Sequence, residues 1–281
     1  MALLQVNFFS QILGMAMTMD VILPEGSQGI GVNARPVWDG EEELPVLYLL
    51  HGTSDDHTIW QRRTSIERYV ADKKLAVVMP NAHISAYTNQ RFGFRFFDFV
   101  AEEVPAFCQK YFKISAQREK NFIAGLSMGG YGALKIGMRC ADRFGYAAGL
   151  SSGCERMAML PPQAAGAGSL AELELLKPEM TPEAYQAAIQ FFVNFGSPQE
   201  YRQSKSDNLF LLAEDRVKRR LPMPEIWMTC GSEDAAVKTN RDFHELLTRL
   251  GVAHTYTEAP GVHNWAFWDT QIQRVLDWLP L

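Results

Sequence analysis

The chain has 281 residues, of which 47% are hydrophobic and 21% charged, and its formal net charge is −5. A globular protein of this length and composition buries most of the surface that its unfolded chain would expose. The densest basic cluster, at 216–220, fits the solvated end of a helix, and no longer basic block occurs. We therefore expect no binding of nucleic acid.

The N-terminus and the cysteines favour a cytoplasmic protein. No basic residue precedes Arg35, and no small-residue cleavage site follows an apolar core, as a secretory signal would require. No apolar run approaches the length that spans a bilayer, so we expect no membrane association. The four cysteines have neither paired nor metal-site spacing, so we expect small buried thiols and no metal. Cys154, just after a predicted strand, is the one placed to border a pocket.

The predicted elements begin with two alternating segments, 5–9 and 15–23, which are typical of half-buried strands. Residues 44–50 form a nearly continuous apolar run, which indicates a strand buried on both faces. Strand and helix patterns then alternate along the chain. Further strands are predicted at 75–79, 122–124, 146–150, 225–230 and 255–258, and helices at 97–112, 131–140, 234–250 and up to Trp278. This alternation predicts an α/β fold whose mostly parallel sheet is covered by helices on both sides and is entered through an antiparallel pair.

The alternation breaks between about Ser152 and Glu214. Stretches rich in Pro, Ala and Gly indicate loops there, with helix-like pieces at 170–176 and 183–192. Such a segment is too short and too interrupted to have its own core. The sequence therefore predicts a single domain over 1–281 that carries an insertion at about 152–207.

Residues 121–131 predict a nucleophilic serine at a tight turn. The pattern Gly125-x-Ser127-x-Gly129 directly follows an apolar run and directly precedes a helix-like stretch. A serine in a strained turn needs small residues two positions to either side, which the glycines supply. The N-terminus of the following helix then points at negative charge that develops during attack.

A serine hydroxyl needs a base to take its proton, and that base is usually a histidine held by a carboxylate. In an open parallel sheet the reacting groups collect in loops beyond the carboxyl ends of the strands. Asp234 follows the predicted strand 225–230, and His263 follows the strand 255–258. The chain order Ser, Asp, His is the order that accompanies this kind of turn. We predict Asp234 as the acid and His263 as the base, with Glu233 as the alternative acid.

The negative charge of a tetrahedral intermediate needs two backbone N–H donors. One is predicted to be the N–H of Met128, directly after the serine, and the other the N–H of Thr53, in the loop after the strand 44–50. Gly52 allows this loop to approach the substrate closely. His51 precedes the serine in the chain and is predicted to shape the site rather than to act as the base.

Two tryptophans, Trp60 and Trp265, lie next to these loops and are predicted to line the substrate pocket, although core packing is the commoner role for such residues. The remaining histidine candidates are weaker. His244 lies inside a predicted helix, and His254 opens a predicted strand, where a hydrogen-bonding role is expected.

The sequence resembles a known family at the motifs 47–52, 122–132, 230–234 and 261–265. They are similar to those of the esterase D-type branch of the α/β-hydrolases, above all to bacterial tributyrin esterases and to related acetyl and feruloyl esterases. The resemblance runs nearly end to end and is weakest in the insertion. It implies an α/β-hydrolase fold, no cofactor and hydrolysis of short-chain carboxylic esters. It also implies that Ser127 is the nucleophile, Asp234 the acid and His263 the base.

We therefore predict a serine carboxylesterase that acts on a small-molecule ester through an acyl-enzyme. A feruloyl or acetyl-xylan esterase, an S-formylglutathione (thioester) hydrolase and an acyltransferase similar to the mycolyltransferases are alternatives. A non-catalytic binding protein on the same scaffold is disfavoured, because candidates for all three catalytic positions are present. The formation of a homo-oligomer is left open.

Overall fold

The structure, a computed structural model, describes residues 1–25 and 37–281. Its strands are β1 (Ala2–Ser10), β2 (Met15–Leu23), β3 (Val46–Leu50), β4 (Ala76–Pro80), β5 (Asn121–Leu126), β6 (Tyr146–Leu150), β7 (Glu225–Gly231) and β8 (His254–Ala259). They form an eight-stranded sheet in the order β1-β2-β4-β3-β5-β6-β7-β8. The pairs β1–β2 and β2–β4 are antiparallel, and all other neighbours are parallel. The predicted sheet and its antiparallel entry are thus confirmed.

The α-helices are α1 (Ile59–Arg63), α2 (Ile66–Tyr69), α3 (Phe96–Asp98), α4 (Val104–Tyr111), α5 (Met128–Arg139), α6 (Leu170–Leu176), α7 (Pro182–Phe195), α8 (Pro198–Gln203), α9 (Leu209–Lys218), α10 (Val237–Arg249) and α11 (Trp265–Trp278). The helices cover both faces of the sheet. Successive side chains of a strand point to opposite faces, so each strand contributes to two cores. Leu47 and Leu49 of β3 pack in a core with α1, α2 and α11. Tyr48 and Leu50 pack in a second core with α4, α5 and α10. Both cores exclude water from the sheet.

The parallel strands end together at one edge of the sheet. Leu50 is in register with Gly125, and Leu126 with Leu150. Further along the edge, Gly231 is in register with Ala259. The loops that follow β3, β5, β6, β7 and β8 therefore meet at this edge, which is where an open parallel sheet places its ligand site.

The predicted helix 97–112 is interrupted. A π-helical turn at Phe99–Glu103 joins α3 to α4. An extra residue in one turn rotates everything after it by about 100° relative to a continuous α-helix. Val104 and Cys108 of α4 are buried, whereas Tyr111 at its end is 57% exposed. The helices α1, α2 and α8 were not predicted, and α9 was indicated only by the basic cluster 216–220 at its C-terminal end.

The segment 152–207 contains α6, α7 and α8. Each of these helices begins at a side-chain oxygen that accepts a hydrogen bond from the first turn, a stabilising N-cap; the caps are Ser169, Thr181 and Ser197. The segment ends at Asp207, whose Oδ1 lies 3.3 Å from Nζ of the fully buried Lys135 in α5. This ion pair ties the segment to the helix that follows Ser127.

All four cysteines are free and buried. Cys154 is 0% exposed, and its Sγ donates to Oδ1 of Asn240 at 3.6 Å. The prediction that Cys154 borders a pocket is therefore wrong. Across residues 1–25 and 37–281, no helix has the length and apolar character needed to cross a membrane.

Candidate active site

Ser127 lies at a strained turn between β5 and α5. Its backbone angles are φ 53° and ψ −115°, a combination that side-chain-bearing residues rarely adopt. Gly129 packs so closely on the loop after β3 that an added Cβ would lie 2.4 Å from the carbonyl oxygen of Leu50 and 2.6 Å from that of His51. A side chain at position 129 would collide with these backbone atoms, so a glycine is required two residues after the serine, as predicted.

Three side chains form a hydrogen-bonded chain at this turn. Nε2 of His263 lies 3.0 Å from Oγ of Ser127. On the other side of the ring, Nδ1 lies 2.8 Å from Oδ2 and 3.0 Å from Oδ1 of Asp234. A carboxylate accepts a hydrogen bond from Nδ1–H and so keeps the ring proton on Nδ1, which leaves Nε2 free to accept from the serine hydroxyl. The structure thus brings together the three residues that the sequence singled out.

Asp234 and His263 differ in their exposure to solvent. The Asp234 side chain is fully buried, and that of His263 is 38% exposed. Burial raises the pKa of Asp234, but hydrogen bonds from His263 and from the backbone N–H of Ala236 outweigh it, so the net pKa is lowered. Asp234 therefore stays ionised at neutral pH beside the imidazole.

The rival residues have other partners. The Glu233 carboxylate accepts a hydrogen bond from the backbone N–H of Gly261 at 2.6 Å, and its own N–H donates to the Gly261 carbonyl. Glu233 therefore holds the loop that carries His263. Nδ1 of His244 lies 2.7 Å from Nε2 of His254, so these two histidines bind each other, as a hydrogen-bonding role for His254 predicts.

Thr53 and Met128 lie beside Ser127 and line the same cleft. Gly52 brings the two loops together, since a Cβ added to it would lie 3.8 Å from Cβ of Ser127. Within the described residues, the backbone N–H groups of Thr53 and Met128 donate to no acceptor of the protein. Free donors next to the serine are what an oxyanion requires.

The cleft beside Ser127 has a volume of about 560 Å³. One wall is formed by the segment 152–207, which contributes Met159 and a face of α7 that includes Phe191 and Phe195. Ile84 also lines the cleft and lies next to α7, because its carbonyl accepts a hydrogen bond from Nε2 of Gln190 at 2.9 Å. Arg156, Glu183, Gln186 and Gln190 are the polar and charged side chains from the segment that line it. The charged and hydrogen-bonding groups of these side chains therefore face any molecule that enters the cleft.

The two predicted tryptophans do not line this cleft. Trp60 is 0% exposed, and its Nε1 donates to the Leu50 carbonyl at 3.0 Å, so its side chain is part of the core. Trp265 contacts Trp60 edge to face, with 5.2 Å between ring centroids, and Trp268 in the same way at 5.3 Å. Trp268 in turn packs at 90° to His263, with 4.9 Å between the centroids. Trp268 therefore packs against the imidazole of His263, and Trp265 and Trp60 form the next contacts behind it.

His51 lies buried beneath the loop that carries Thr53 and does not line the cleft. It is 1% exposed. Its Nδ1 lies 2.8 Å from the Gly52 carbonyl, and its Nε2 lies 3.0 Å from the backbone N–H of Ala82. Because a carbonyl only accepts and an N–H only donates, the ring must carry its proton on Nδ1 and none on Nε2. His51 is therefore buried beneath the site and holds the loop that carries Thr53.

Stability will fall in acid partly because of His51. Burial lowers its pKa from 6.5 to about 4. The unfolded state then binds more protons than the folded state between these two values, so stability is complete above pH 6.5 and decreases as the pH falls to 4. At about 1.4 kcal/mol per pKa unit the loss from this group is roughly 3 kcal/mol. Urea unfolding of the wild type and of His51→Gln at pH 7.5, 5.5 and 4.5 measures this loss. The free energy of unfolding should decrease more in the wild type than in the variant as the pH falls. Parallel losses would contradict this role.

Sequence reasoning missed the residues of the cleft wall. The amphipathic pattern of α7 contained a signal for Phe191 and Phe195, which are four residues apart on one helix face, but the predicted helix 183–192 ended before Phe195. Arg156 had no signal, because a lone arginine in an irregular segment forms no motif.

An eight-stranded, mostly parallel sheet with a serine at the strained strand-to-helix turn defines the α/β-hydrolase fold. Residues 10–279 match the family model described as "Putative esterase". The chain is 30% identical to an acetyl esterase of Caldicellulosiruptor saccharolyticus, over 99% of this chain and 98% of that protein. It belongs to this esterase family and is a carboxylic ester hydrolase.

Two solved structures from Staphylococcus aureus are similar over 99% of this chain and 98% of their own. A fluorophosphonate-binding serine hydrolase has a TM-score of 0.77 and 32% sequence identity. An S-formylglutathione hydrolase has a TM-score of 0.76 and 31% identity. A ferulic acid esterase, with 22% identity and a TM-score of 0.70, shares the fold.

Proposed function

We propose that this protein hydrolyses short-chain acyl esters as a serine carboxylesterase, with Ser127 as nucleophile, His263 as general base and Asp234 as the carboxylate that orients it. The observation that carries the proposal is the unbroken chain of hydrogen bonds from Ser127 Oγ through the His263 ring to Asp234, at 3.0 and 2.8 Å. Membership of the esterase family supports the same reaction.

In the first half of the reaction, Ser127 Oγ attacks the ester carbonyl carbon while Nε2 of His263 takes its proton. Asp234 stabilises the imidazolium that forms and keeps the proton of Nδ1 in place. Because its own pKa is lowered, Asp234 remains an anion throughout and does not take that proton.

The carbonyl oxygen becomes an anion in the tetrahedral intermediate. The free N–H groups of Thr53 and Met128 donate to it, and the N-terminus of α5 adds a favourable dipole. Each such donor typically contributes about 10²-fold to 10³-fold in kcat. The intermediate collapses when His263 protonates the leaving alcohol, and the acyl group remains on Ser127.

In the second half, a water molecule gives its proton to Nε2 of His263 and attacks the acyl carbon. The acid is released when Ser127 recovers its proton from the same imidazolium. The exposed fraction of the His263 side chain, 38%, gives water access to this nitrogen. That access supports hydrolysis as the second half of the proposed reaction.

The acyl-enzyme is the species to detect. Quenching the wild type in acid during turnover of p-nitrophenyl butyrate should give an intact mass higher by one butyryl group, located by peptide mass spectrometry on the peptide that contains Ser127. Asp269→Asn, a change distant from the cleft, serves as the matched control and should give the same adduct. An adduct on another residue would overturn the assignment of the nucleophile.

A thioester hydrolase is the second candidate, and its support is the 31% identity over nearly the whole chain with an S-formylglutathione hydrolase. The same hydrogen-bonded residues serve a thioester, since only the leaving group changes from alkoxide to thiolate. A comparison of kcat/KM for p-nitrophenyl acetate, p-nitrophenyl butyrate, methyl ferulate, acetylated xylan and S-formylglutathione separates the candidates. Among the neutral esters the short oxyesters should be the best substrates, and a higher value for S-formylglutathione than for any of them would favour the thioester hydrolase.

A further inference from the structure

Arg156 is a buried arginine of the segment 152–207. It belongs to a 3-10 turn, Arg156–Met159, and it is 8% exposed. Its Nε is buried and has no hydrogen-bond partner among the residues that the structure describes. Within residues 1–25 and 37–281, no carboxylate forms an ion pair with its guanidinium, and Oε1 of the adjacent Glu155 accepts instead from the backbone N–H of Met157. Arginines buried to this extent are normally paired.

The position of the guanidinium links it to Ser127. Arg156 lines the cleft together with Thr53 and Met128. Its Nη1 lies 2.7 Å from the place where a Cβ on Gly153 would lie. The backbone N–H of Gly153 donates to the Ser127 carbonyl at 3.2 Å. The absence of a side chain at 153 therefore leaves room for the charged group in the wall next to the reacting serine.

The neighbours of Arg156 keep it in place without neutralising it. Its guanidinium carbon lies 5.4 Å from the ring centroid of Tyr131, a weak attraction from the face of an aromatic ring. Lys135 lies against the same ring at 4.6 Å, but that ammonium is paired with Asp207. Burial lowers the pKa of Arg156, yet a guanidinium stays protonated at neutral pH. The Glu155 carboxylate favours this charge through space and partly offsets the effect of burial on the pKa of Arg156, but it forms no ion pair with the guanidinium.

We propose that Arg156 is the recognition site for a carboxylate on the substrate, so that the preferred esters are half-esters or esters of hydroxy acids rather than neutral ones. This inference rests on the proposed ester hydrolysis at Ser127 and names its substrate class. A guanidinium binds a carboxylate through parallel N–H···O bonds, which are strongest where water is excluded. The apolar residues around it, Met159 and Phe191 among them, provide that environment.

Glu183 is the other charged residue of the cleft wall, and it lies at the exposed start of α7. Solvent screens an exposed carboxylate far more than a buried guanidinium. Arg156 is therefore the less screened of the two charged side chains that line the cleft.

Two matched pairs of esters test the site and tell which side of the substrate carries the charge. 4-Acetoxybenzoate and its methyl ester differ by a carboxylate on the leaving group. Monomethyl and dimethyl glutarate differ by a carboxylate on the acyl side. In the wild type we expect the anionic member of one pair to have the higher kcat/KM, measured by pH-stat titration.

Arg156→Met should lower kcat/KM for that anionic ester by about 10-fold to 100-fold, the usual effect of losing a charge-assisted hydrogen bond. The value for its neutral partner should change little. Arg156→Lys should restore part of the preference. Gly153→Ala keeps the charge but displaces Nη1, and it should also reduce the preference for the anion. Arg139→Met is the matched control, because Arg139 also lies over an aromatic ring, that of Phe97, but does not line this cleft.

Equal losses on the anionic and neutral esters in Arg156→Met, or no anionic preference in the wild type, would overturn the proposal while leaving ester hydrolysis intact. If Arg156→Met does not fold, Arg156→Lys and Gly153→Ala give the answer. Calorimetric binding of monomethyl glutarate and 4-acetoxybenzoate to Ser127→Ala tests the same site without turnover. Absence of hydrolysis of every ester, with binding that depends on Arg156, would contradict only the proposed function.

Discussion

Ser127→Ala should reduce kcat for p-nitrophenyl butyrate by about 10⁵-fold to 10⁶-fold, the range found when a serine nucleophile of this kind is removed. The methyl group of alanine cannot form the acyl-enzyme. The free N–H groups of Thr53 and Met128 remain and account for the small residual rate. Initial rates at saturating ester, with enzyme concentration raised to detect slow turnover, measure the loss.

The control measurement for Ser127→Ala is its thermal stability. The backbone N–H of Ser127 donates to the Leu150 carbonyl at 2.8 Å, and the Ser127 carbonyl accepts from the N–H of Tyr131 at 3.0 Å. Alanine preserves both hydrogen bonds. The melting temperature of the variant should therefore match that of the wild type. Substantial esterase activity in a well-folded Ser127→Ala protein would mean that another residue is the nucleophile.

Asp234→Asn should lower kcat by about 10⁴-fold. An amide at this position presents N–H to Nδ1 of His263, because its oxygen is held by the backbone N–H of Ala236 at 2.8 Å. The ring must then place its own proton on Nε2, facing the Ser127 hydroxyl, where it cannot accept the serine proton. The base is lost although the geometry is kept.

Glu233→Gln is the matched control, since it neutralises the adjacent carboxylate. The amide oxygen of glutamine still accepts from the Gly261 N–H, so the His263 loop is held and activity should fall only slightly. A larger loss in Glu233→Gln than in Asp234→Asn would reverse the two assignments.

Much of the fold was predictable because hydrophobic periodicity reports burial directly. β2 and β6 have the predicted bounds, since both are flanked by turn residues that end the pattern. The π-turn at Phe99–Glu103 was not predictable, because Phe99, Val100 and Ala101 are all buried and leave no periodic trace of the extra residue. The short helices α1 and α2 lack the length at which a period becomes visible.

The candidate site divides in the same way. Residues set by motif spacing, such as Ser127, Asp234 and His263, were found from the sequence, and the structure brings them within hydrogen-bond distance. Trp60 was misplaced because proximity along the chain does not give the direction of a side chain, and its indole N–H satisfies the Leu50 carbonyl inside the core. Arg156 could be identified only from the structure, because its burial and its unpaired Nε depend on residues distant in the sequence.

The backbone of Ser127 has a consequence for any attempt to make this enzyme more robust. A glycine adopts φ 53° and ψ −115° at no steric cost, whereas serine loses about 1–3 kcal/mol there. A screen that selects only for survival at high temperature would therefore reward Ser127→Gly, which removes the reacting hydroxyl. Heat-tolerant variants should be selected with an ester in the medium, because at this one position resistance to unfolding and turnover are opposed.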